Sequence, residues 1–350
     1  MSRDRTSALR KFDRSAMLVR MGNTPSRLNA PPDCKTTFPH SFDKPRNVVI
    51  GGVGGSGIAG DIVADYLKAV GDVPISVCRA LQIPSHVEEK TLFLAISYSG
   101  ETRETLSLLE QAVKRKAMLA SVTSGGTLLS TCVARRIPYL KVPAGLPPRV
   151  ALPELVASAV FAMGRAALLK DTDRILADAS RSVASLIESI SPEKPAEQNG
   201  AIQMAERLQD RLPLLFGPEE RASVLRRFKN ELNENSKMPA FYVSTPECYH
   251  DDIEGLRTLS RYCSVQPILL FTRPETKGQS KTKEALYALL NELSFPPILT
   301  FEGYGGNMLS ELLTAITFGD YVSVYLALLR GIDPTSLELI PKFRVAMSSA

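Results

Sequence analysis

The stretch Val48-Val49-Ile50-Gly51-Gly52-Val53-Gly54-Gly55-Ser56-Gly57-Ile58-Ala59-Gly60 decides the fold class. Apolar, β-branched residues enter it, glycines crowd its centre, and a helical pattern leaves it. This predicts a strand, a tight turn and a helix start. Glycine lets the backbone take positive φ and approach a ligand closely. The first N–H groups of the helix and its positive dipole end make a ready anion site. Ser56 adds a hydroxyl there.

Working outward, β-rich runs follow at Ile75–Cys78, Leu92–Ile96, Leu119–Thr123 and Tyr139–Val142. Helical patterns lie between them, as at Ile58–Val70 and Glu104–Lys116. Strands alternating with helices of this length read as βαβ units on a parallel sheet. The strands are apolar throughout, as expected when helices cover both sheet faces. Helical patterns continue over Pro153–Leu169 and Asp171–Ile190, and the polar run Ser191–Gly200 reads as an interdomain connection.

The second half repeats the alternation, with strands expected at Leu214–Phe216, Ala240–Val243, Pro267–Phe271 and Ile298–Phe301. Its helices are expected at Ile202–Leu212, Glu219–Ser236, Thr282–Leu293 and Met308–Arg330. The fold expected is α/β, with two doubly wound domains. The division is an extension over 1–45, a first domain over 46–165, a helical linker over 166–200 and a second domain over 201–350.

Composition narrows the function. A chain of 350 residues suits about two domains. The net charge of +5 is dispersed, which argues against nucleic acid but suits a small anionic substrate. No run approaches the roughly 18 apolar residues a membrane span needs, so neither an integral membrane protein nor a membrane partner is expected. The cysteines Cys34, Cys78, Cys132, Cys248 and Cys263 form no CxxC pair, so neither a disulfide framework nor a zinc cluster is indicated. Charges stand at the N-terminus where a signal peptide would be apolar, and a cytoplasmic location is expected. With only His40, His86 and His250, a histidine-rich metal centre is not expected.

Gly52, Gly54 and Gly57 have the G-x-G-x-x-G spacing of dinucleotide folds. However, the next strand ends in Cys78-Arg79, with no acid placed for a ribose, and the lysine of a triphosphate loop is missing. A second strand-to-helix junction, Ile96-Ser97-Tyr98-Ser99-Gly100-Glu101-Thr102-Arg103, gathers three hydroxyls. One helix cap needs one hydroxyl, so three point to an anion with several oxygens. Thr123-Ser124-Gly125-Gly126 ends the next strand in the same manner. All these loops should meet at the carboxyl ends of the strands, where open α/β sheets bind ligands.

GGVGGSG followed by ISYSGETRET closely resembles the sugar-isomerase (SIS) domain, a flavodoxin-like fold that binds phosphosugars. The resemblance implies that Gly55, Ser56, Ser97, Ser99 and Thr102 hold a sugar phosphate. Asn230–Ala240 (NELNENSKMPA) and Pro246–Gly255 (PECYHDDIEG) resemble segments of the bifunctional phosphoglucose/phosphomannose isomerases. Gly145-Leu146-Pro147-Pro148-Arg149 resembles the P-R motif of that family. Arg330–Thr335 and Lys342 fit its terminal segment.

The resemblance implies Glu234 as the base, His250 and Lys342 in ring opening, and Arg149 as the charge stabilising an enediolate. Thr335 falls at the residue that leaves room for either C2 epimer. The chemistry is coherent. An aldose–ketose interconversion needs one carboxylate within reach of two adjacent carbons. Ring opening needs an acid/base near neutral pH, which imidazole supplies. No metal or other cofactor is implied. The implied substrate is a phosphorylated hexose, and the implied assembly is a homodimer in which His250 serves the neighbouring subunit.

Glu101 and Arg103 flank Thr102, so Glu101 must point away from a phosphate or pair with Arg103. Pro153 stands where the family pattern has glycine. The competing readings are a non-catalytic phosphosugar-binding regulator, the isomerising half of an amidotransferase, and a nucleotide-dependent dehydrogenase. The first forty-five residues cannot supply the glutaminase domain that the second of these requires.

Overall fold

The computed structural model describes residues 11–30, 44–272 and 277–349. The chain divides into two compact units. One comprises Asn23–Ala184 and Tyr304–Leu313; the other comprises the N-terminal residues through Gly22, Ser185–Gly303 and Thr314 onward. This division interleaves the chain more than the linear partition drawn from the sequence.

Along the chain, α1 (Met17–Gly22) and α2 (Thr24–Leu28) precede β1 (Asn47–Gly51), α3 (Gly54–Val70), β2 (Ile75–Cys78) and β3 (Thr91–Ser97). Next come α4 (Arg103–Lys114), β4 (Met118–Thr123), α5 (Gly126–Arg135), β5 (Tyr139–Lys141), α6 (Leu152–Arg165) and α7 (Thr172–Ile190). The later elements are α8 (Gly200–Leu208), β6 (Leu212–Pro218), α9 (Ala222–Glu234), β7 (Phe241–Thr245), α10 (Asp252–Leu259) and β8 (Val265–Thr272). Last are α11 (Lys277–Glu292), β9 (Leu299–Gly303), α12 (Met308–Leu329) and α13 (Leu339–Ser349).

The first unit holds a parallel five-stranded sheet in the order β2-β1-β3-β4-β5. Every residue of β3 is buried, which explains its uninterrupted apolar run. Val49 and Phe93 point to one face, into a cluster with Leu108 and Leu109 of α4 and Leu128 and Cys132 of α5. Helices α3 and α6 contact each other, and α3 also lies against β1, β2 and β3. Each large apolar side chain buried this way contributes roughly 1.5–3 kcal/mol. Pro153 sits in the first turn of α6, where its missing N–H costs no helix bond.

The second unit holds a parallel four-stranded sheet in the order β7-β6-β8-β9. This is the first sheet's order without its last strand. Phe216, Leu269 and Phe271 cluster with Leu256 of α10 and with Leu286 and Leu290 of α11. On α9, the Phe228 ring lies over Gly319 of α12. By length and composition α12 could cross a membrane, but 89% of its apolar window is buried within the protein.

Two expectations need correction. Ser191–Gly200 lies inside the second unit rather than connecting domains. Asn199 is fully buried there, donates to the Ile190 and Ser191 carbonyls, and accepts from the N–H groups of Ala201 and Ile202. Asn199 therefore ties the end of α7 to the start of α8. The helix expected over Ile202–Leu212 ends at Leu208, because Leu212 is already in β6.

Candidate active site

In the first unit, four loops converge at the carboxyl ends of β1, β3, β4 and β5. The β1–α3 turn is close-packed: a Cβ at Gly52 would lie 2.9 Å from the Ile96 carbonyl, and one at Gly57 2.7 Å from the Gly52 carbonyl. No side chain caps α3, whose N-cap is Val53. Ser56 Oγ accepts the Tyr98 N–H at 3.1 Å, joining this turn to the β3–α4 loop. The Tyr98 hydroxyl donates to the Pro143 carbonyl at 3.0 Å and accepts the Leu146 N–H at 2.9 Å. This holds the loop that carries Arg149, a buried residue. A Cβ at Gly55 would be 3.5 Å from the Pro148 carbonyl, so that loop also reaches the glycine turn.

The β3–α4 loop carries the hydroxyl cluster. Ser97 is fully buried; its Oγ donates to Thr102 Oγ1 at 2.9 Å and accepts the Gly100 N–H at 3.1 Å. Ser99 Oγ accepts the Glu101 N–H at 3.2 Å. Thr102 is the N-cap residue of α4, yet its side chain makes no capping bond. Capping therefore does not account for the hydroxyls. Gly100, at φ +71°, is required by close approach: a Cβ there would sit 1.8 Å from the Gly125 carbonyl.

The β4–α5 hydroxyls behave differently from the sequence reading. Ser124 Oγ donates to the Tyr98 carbonyl at 2.6 Å, and Thr123 Oγ1 donates to the Gly125 carbonyl at 2.9 Å. They brace the neighbouring loops. Glu101 does not pair with Arg103. Its carboxylate accepts the Thr127 N–H at 2.8 Å and the Thr127 hydroxyl at 2.9 Å, at the start of α5. The positive end of a helix suits that charge.

Sequence reasoning missed Tyr98, Gly100 and Arg79. Arg79 donates to the Gly57 carbonyl at 2.9 Å and pairs with Asp61, placing a guanidinium beside the glycine turn. Its position at the end of β2 was the available signal.

In the second unit, Glu234 is the last residue of α9 and is half-buried. A buried network underlies it. Arg227 pairs with Asp320 at 2.8 Å and with Glu231 at 2.7 Å. Asn235 Nδ2 donates to Glu231 Oε2 and to Ser323 Oγ, both at 2.9 Å. Burial alone lowers the Arg227 pKa, but Asp320 and then Glu231 outweigh it and hold it above the ordinary arginine value. Glu234 adds to the same field.

Thr335 is half-buried in a turn where its N–H donates to Asp333 Oδ1 at 2.8 Å. Lys237 bridges the two segments, donating to the Glu234 carbonyl at 2.6 Å and the Ser336 carbonyl at 2.7 Å. The structure thus brings Glu234 and Thr335 into one bonded neighbourhood. His250 is exposed, just past β7, and its backbone N–H donates to the Glu247 carbonyl at 2.9 Å. Its ring is not bonded to Glu234. Lys342 is exposed on α13. Cys248, beside His250, is fully buried, and burial, then Asp252 and Asp251, push its thiol up to about 11.

Two parallel doubly wound sheets, the first with glycine and hydroxyl loops at its strand ends, define a protein of the SIS-domain class. The SIS domain matches residues 41–130, and the bacterial phospho-glucose isomerase C-terminal SIS domain matches residues 197–347. A bifunctional phosphoglucose/phosphomannose isomerase of Thermoplasma acidophilum is 31% identical over 303 residues, covering 86% of this chain and 90% of that protein. The chain belongs to the bifunctional phosphoglucose/phosphomannose isomerase family and is a phosphosugar isomerase. A D-glucosamine-6-phosphate 4-epimerase of Sulfolobus acidocaldarius is 28% identical, covering 84% of this chain and 86% of that protein. A glucose-6-phosphate isomerase like protein from Thermus thermophilus shares the fold, with a TM-score of 0.64, 17% identity and 95% coverage of both chains.

Proposed function

We propose that the protein interconverts glucose 6-phosphate and mannose 6-phosphate with fructose 6-phosphate. The observation that carries the reading is the Ser97–Thr102 hydroxyl pair at the start of α4, where neither side chain caps the helix. Rotating these hydroxyls toward a phosphate, with the leading N–H groups of α4, would supply several donors to one tetrahedral anion. Ser56, Ser99 and Gly55 complete the phosphate assignment.

In this reading Glu234 removes the proton from C2 of the open aldose and returns it to C1. The electron pair passes through an enediolate, whose charge Arg149 stabilises. His250 and Lys342 move protons at the ring oxygen and anomeric hydroxyl during opening. Thr335 leaves space at C2, so either epimer fits. The exposure of His250 supports its serving the site of a neighbouring subunit in a homodimer. The exposed apolar side chains of α13, including Leu339, Phe343 and Val345, also favour a protein partner. The unpaired thiols of Cys78, Cys132 and Cys248 suit a reducing, cytoplasmic setting.

The test is a coupled assay for fructose 6-phosphate formation from each aldose phosphate, with a chelator present. Turnover of both is expected, and turnover of neither would reject the reading. Glu234→Gln should abolish turnover while leaving phosphosugar binding within about threefold; retained activity would reject the base. Mixed Glu234→Gln and His250→Ala subunits should recover activity; no rescue after subunit exchange would reject the shared site. The Sulfolobus relative makes C4 epimerisation the second reading, and glucosamine 6-phosphate in the same assay series separates the two.

A further inference from the structure

We propose that Lys237 is a positioning residue for the isomerisation, tying the end of α9 that carries Glu234 to the turn that carries Thr335. The inference rests on the roles proposed above for those two residues.

Its ammonium group has three N–H donors. They reach the Glu234 carbonyl at 2.6 Å, the Asn235 carbonyl at 3.2 Å and the Ser336 carbonyl at 2.7 Å. The first two carbonyls lie at the end of α9, where helical carbonyls lack intrahelical partners and a cation is favoured. The third lies one residue beyond Thr335. That turn is internally bonded: Asp333 Oδ1 accepts the Thr335 N–H at 2.8 Å, and the Asp333 carbonyl accepts the Ser336 hydroxyl at 3.1 Å. Holding the Ser336 carbonyl therefore holds Thr335.

The tie is reciprocal. Arg330 Nη1 reaches back to the Ser236 carbonyl at 2.8 Å. Each segment thus lends a cation to the other's backbone, just after Glu234 in one and on either side of Thr335 in the other.

The backbone supports a purpose for the lysine side chain. Lys237 has φ 55°, the left-handed region where glycine is the usual residue after a helix. A long, flexible side chain at such a position, with all three donors bonded, is explained by the tie. In the proposed mechanism Glu234 works at C1 and C2, and Thr335 faces the carbon at which the two aldoses differ. One side chain then sets the spacing between the base and the epimer pocket.

The experiment compares wild type with Lys237→Gly, Lys237→Met and Lys237→Arg. Glycine relieves the left-handed backbone while removing the tie; methionine keeps length without donors; arginine keeps donors. Equal thermal midpoints would establish that the variants fold. Amide hydrogen exchange at Asp333, Thr335 and Ser336 should accelerate in the glycine and methionine variants. Their kcat should fall on the order of tenfold, with KM changed less, because small misplacements of reacting groups are costly. The ratio of mannose to glucose 6-phosphate turnover should shift by about threefold or more, since only the C2 contact distinguishes them, and arginine should restore part of it. Unchanged exchange in Lys237→Gly, or an unchanged epimer ratio, would overturn the proposal. Should wild type turn over neither sugar, the proposed function has failed and the role in turnover falls with it. The exchange measurement still judges the tie itself, so the two failures are distinguishable.

Discussion

Arg227 grips both carboxylate oxygens of Asp320, Nε to Oδ1 at 2.8 Å and Nη2 to Oδ2 at 2.9 Å, while its Nη1 pairs with Glu231 at 2.7 Å. One buried cation thus joins α9 to α12 and, through Glu231 and Asn235, fixes the helix end that carries Glu234. Removing it would leave two carboxylates buried without their countercharge. Arg227→Met is therefore expected to destabilise the protein by about 3–5 kcal/mol, measured by urea denaturation. Arg227→Lys should recover only part of this, because a point charge cannot reproduce the bidentate fork. Wild-type stability in Arg227→Met would show that the network does not hold α9.

The phosphate assignment predicts a particular kinetic split. Ser97→Ala and Thr102→Val each remove a hydroxyl proposed to meet the phosphate, a group present in substrate and transition state alike. Each should raise KM roughly tenfold or more with a smaller change in kcat. A fall in kcat at constant KM would place these hydroxyls at the reacting carbons instead.

Two glycines in adjoining loops should respond in opposite ways. Gly100→Ala would place a Cβ 1.8 Å from the Gly125 carbonyl at φ +71°, so the β3–α4 loop must move. Phosphosugar binding by calorimetry should weaken at least tenfold. Gly125 has open space around its Cβ position and an extended backbone, so Gly125→Ala should bind within about twofold of wild type. Equal behaviour of the two variants would contradict the loop contact.

Cys248 makes stability depend on pH. Burial and the neighbouring Asp252 and Asp251 raise its thiol from 9.0 to about 11, so the folded state holds this proton more tightly than the unfolded chain. The contribution is complete below about pH 9 and is lost as pH rises through 11. It amounts to about 3 kcal/mol. Between pH 8 and 10.5 the thermal midpoint should fall more steeply for wild type than for Cys248→Ala. Parallel curves would show that this thiol does not sense burial. At pH 8, alkylation of the native protein should label the partly exposed Cys263 before Cys248 and Cys132.

Much of the architecture could be read locally. The strands around Val48–Ile50 and Leu92–Ile96 are apolar because both faces are covered, and their alternation with helical patterns marks a parallel sheet. The hydroxyl-rich junction Ser97–Thr102 was equally visible, because its strand end, turn and helix start lie in one contiguous stretch of chain. Arg79, Tyr98 and the Arg227–Asp320 pair were not. Their roles depend on partners tens of residues away, and neither composition nor periodicity reports such contacts. Within Ser191–Gly200 only Asn199 is buried, and one enclosed asparagine at a helix junction leaves no mark that separates it from the polar residues around it. Asn199 differs only in being enclosed.

The sequence by itself determined the class of fold, the glycine and hydroxyl loops at the strand ends of the first sheet and the residues that match the isomerase family. Each of these is written in backbone preference or short-range order, which act within one strand–turn–helix unit. Only the tertiary structure decided that Glu101 turns to Thr127, that Tyr98 staples the Arg149 loop, and that Lys237 spans from Glu234 to Ser336. A side chain's hydrogen-bond partner is whichever polar group folding carries within about 3 Å of it. For these residues that group lies on a different element of the fold.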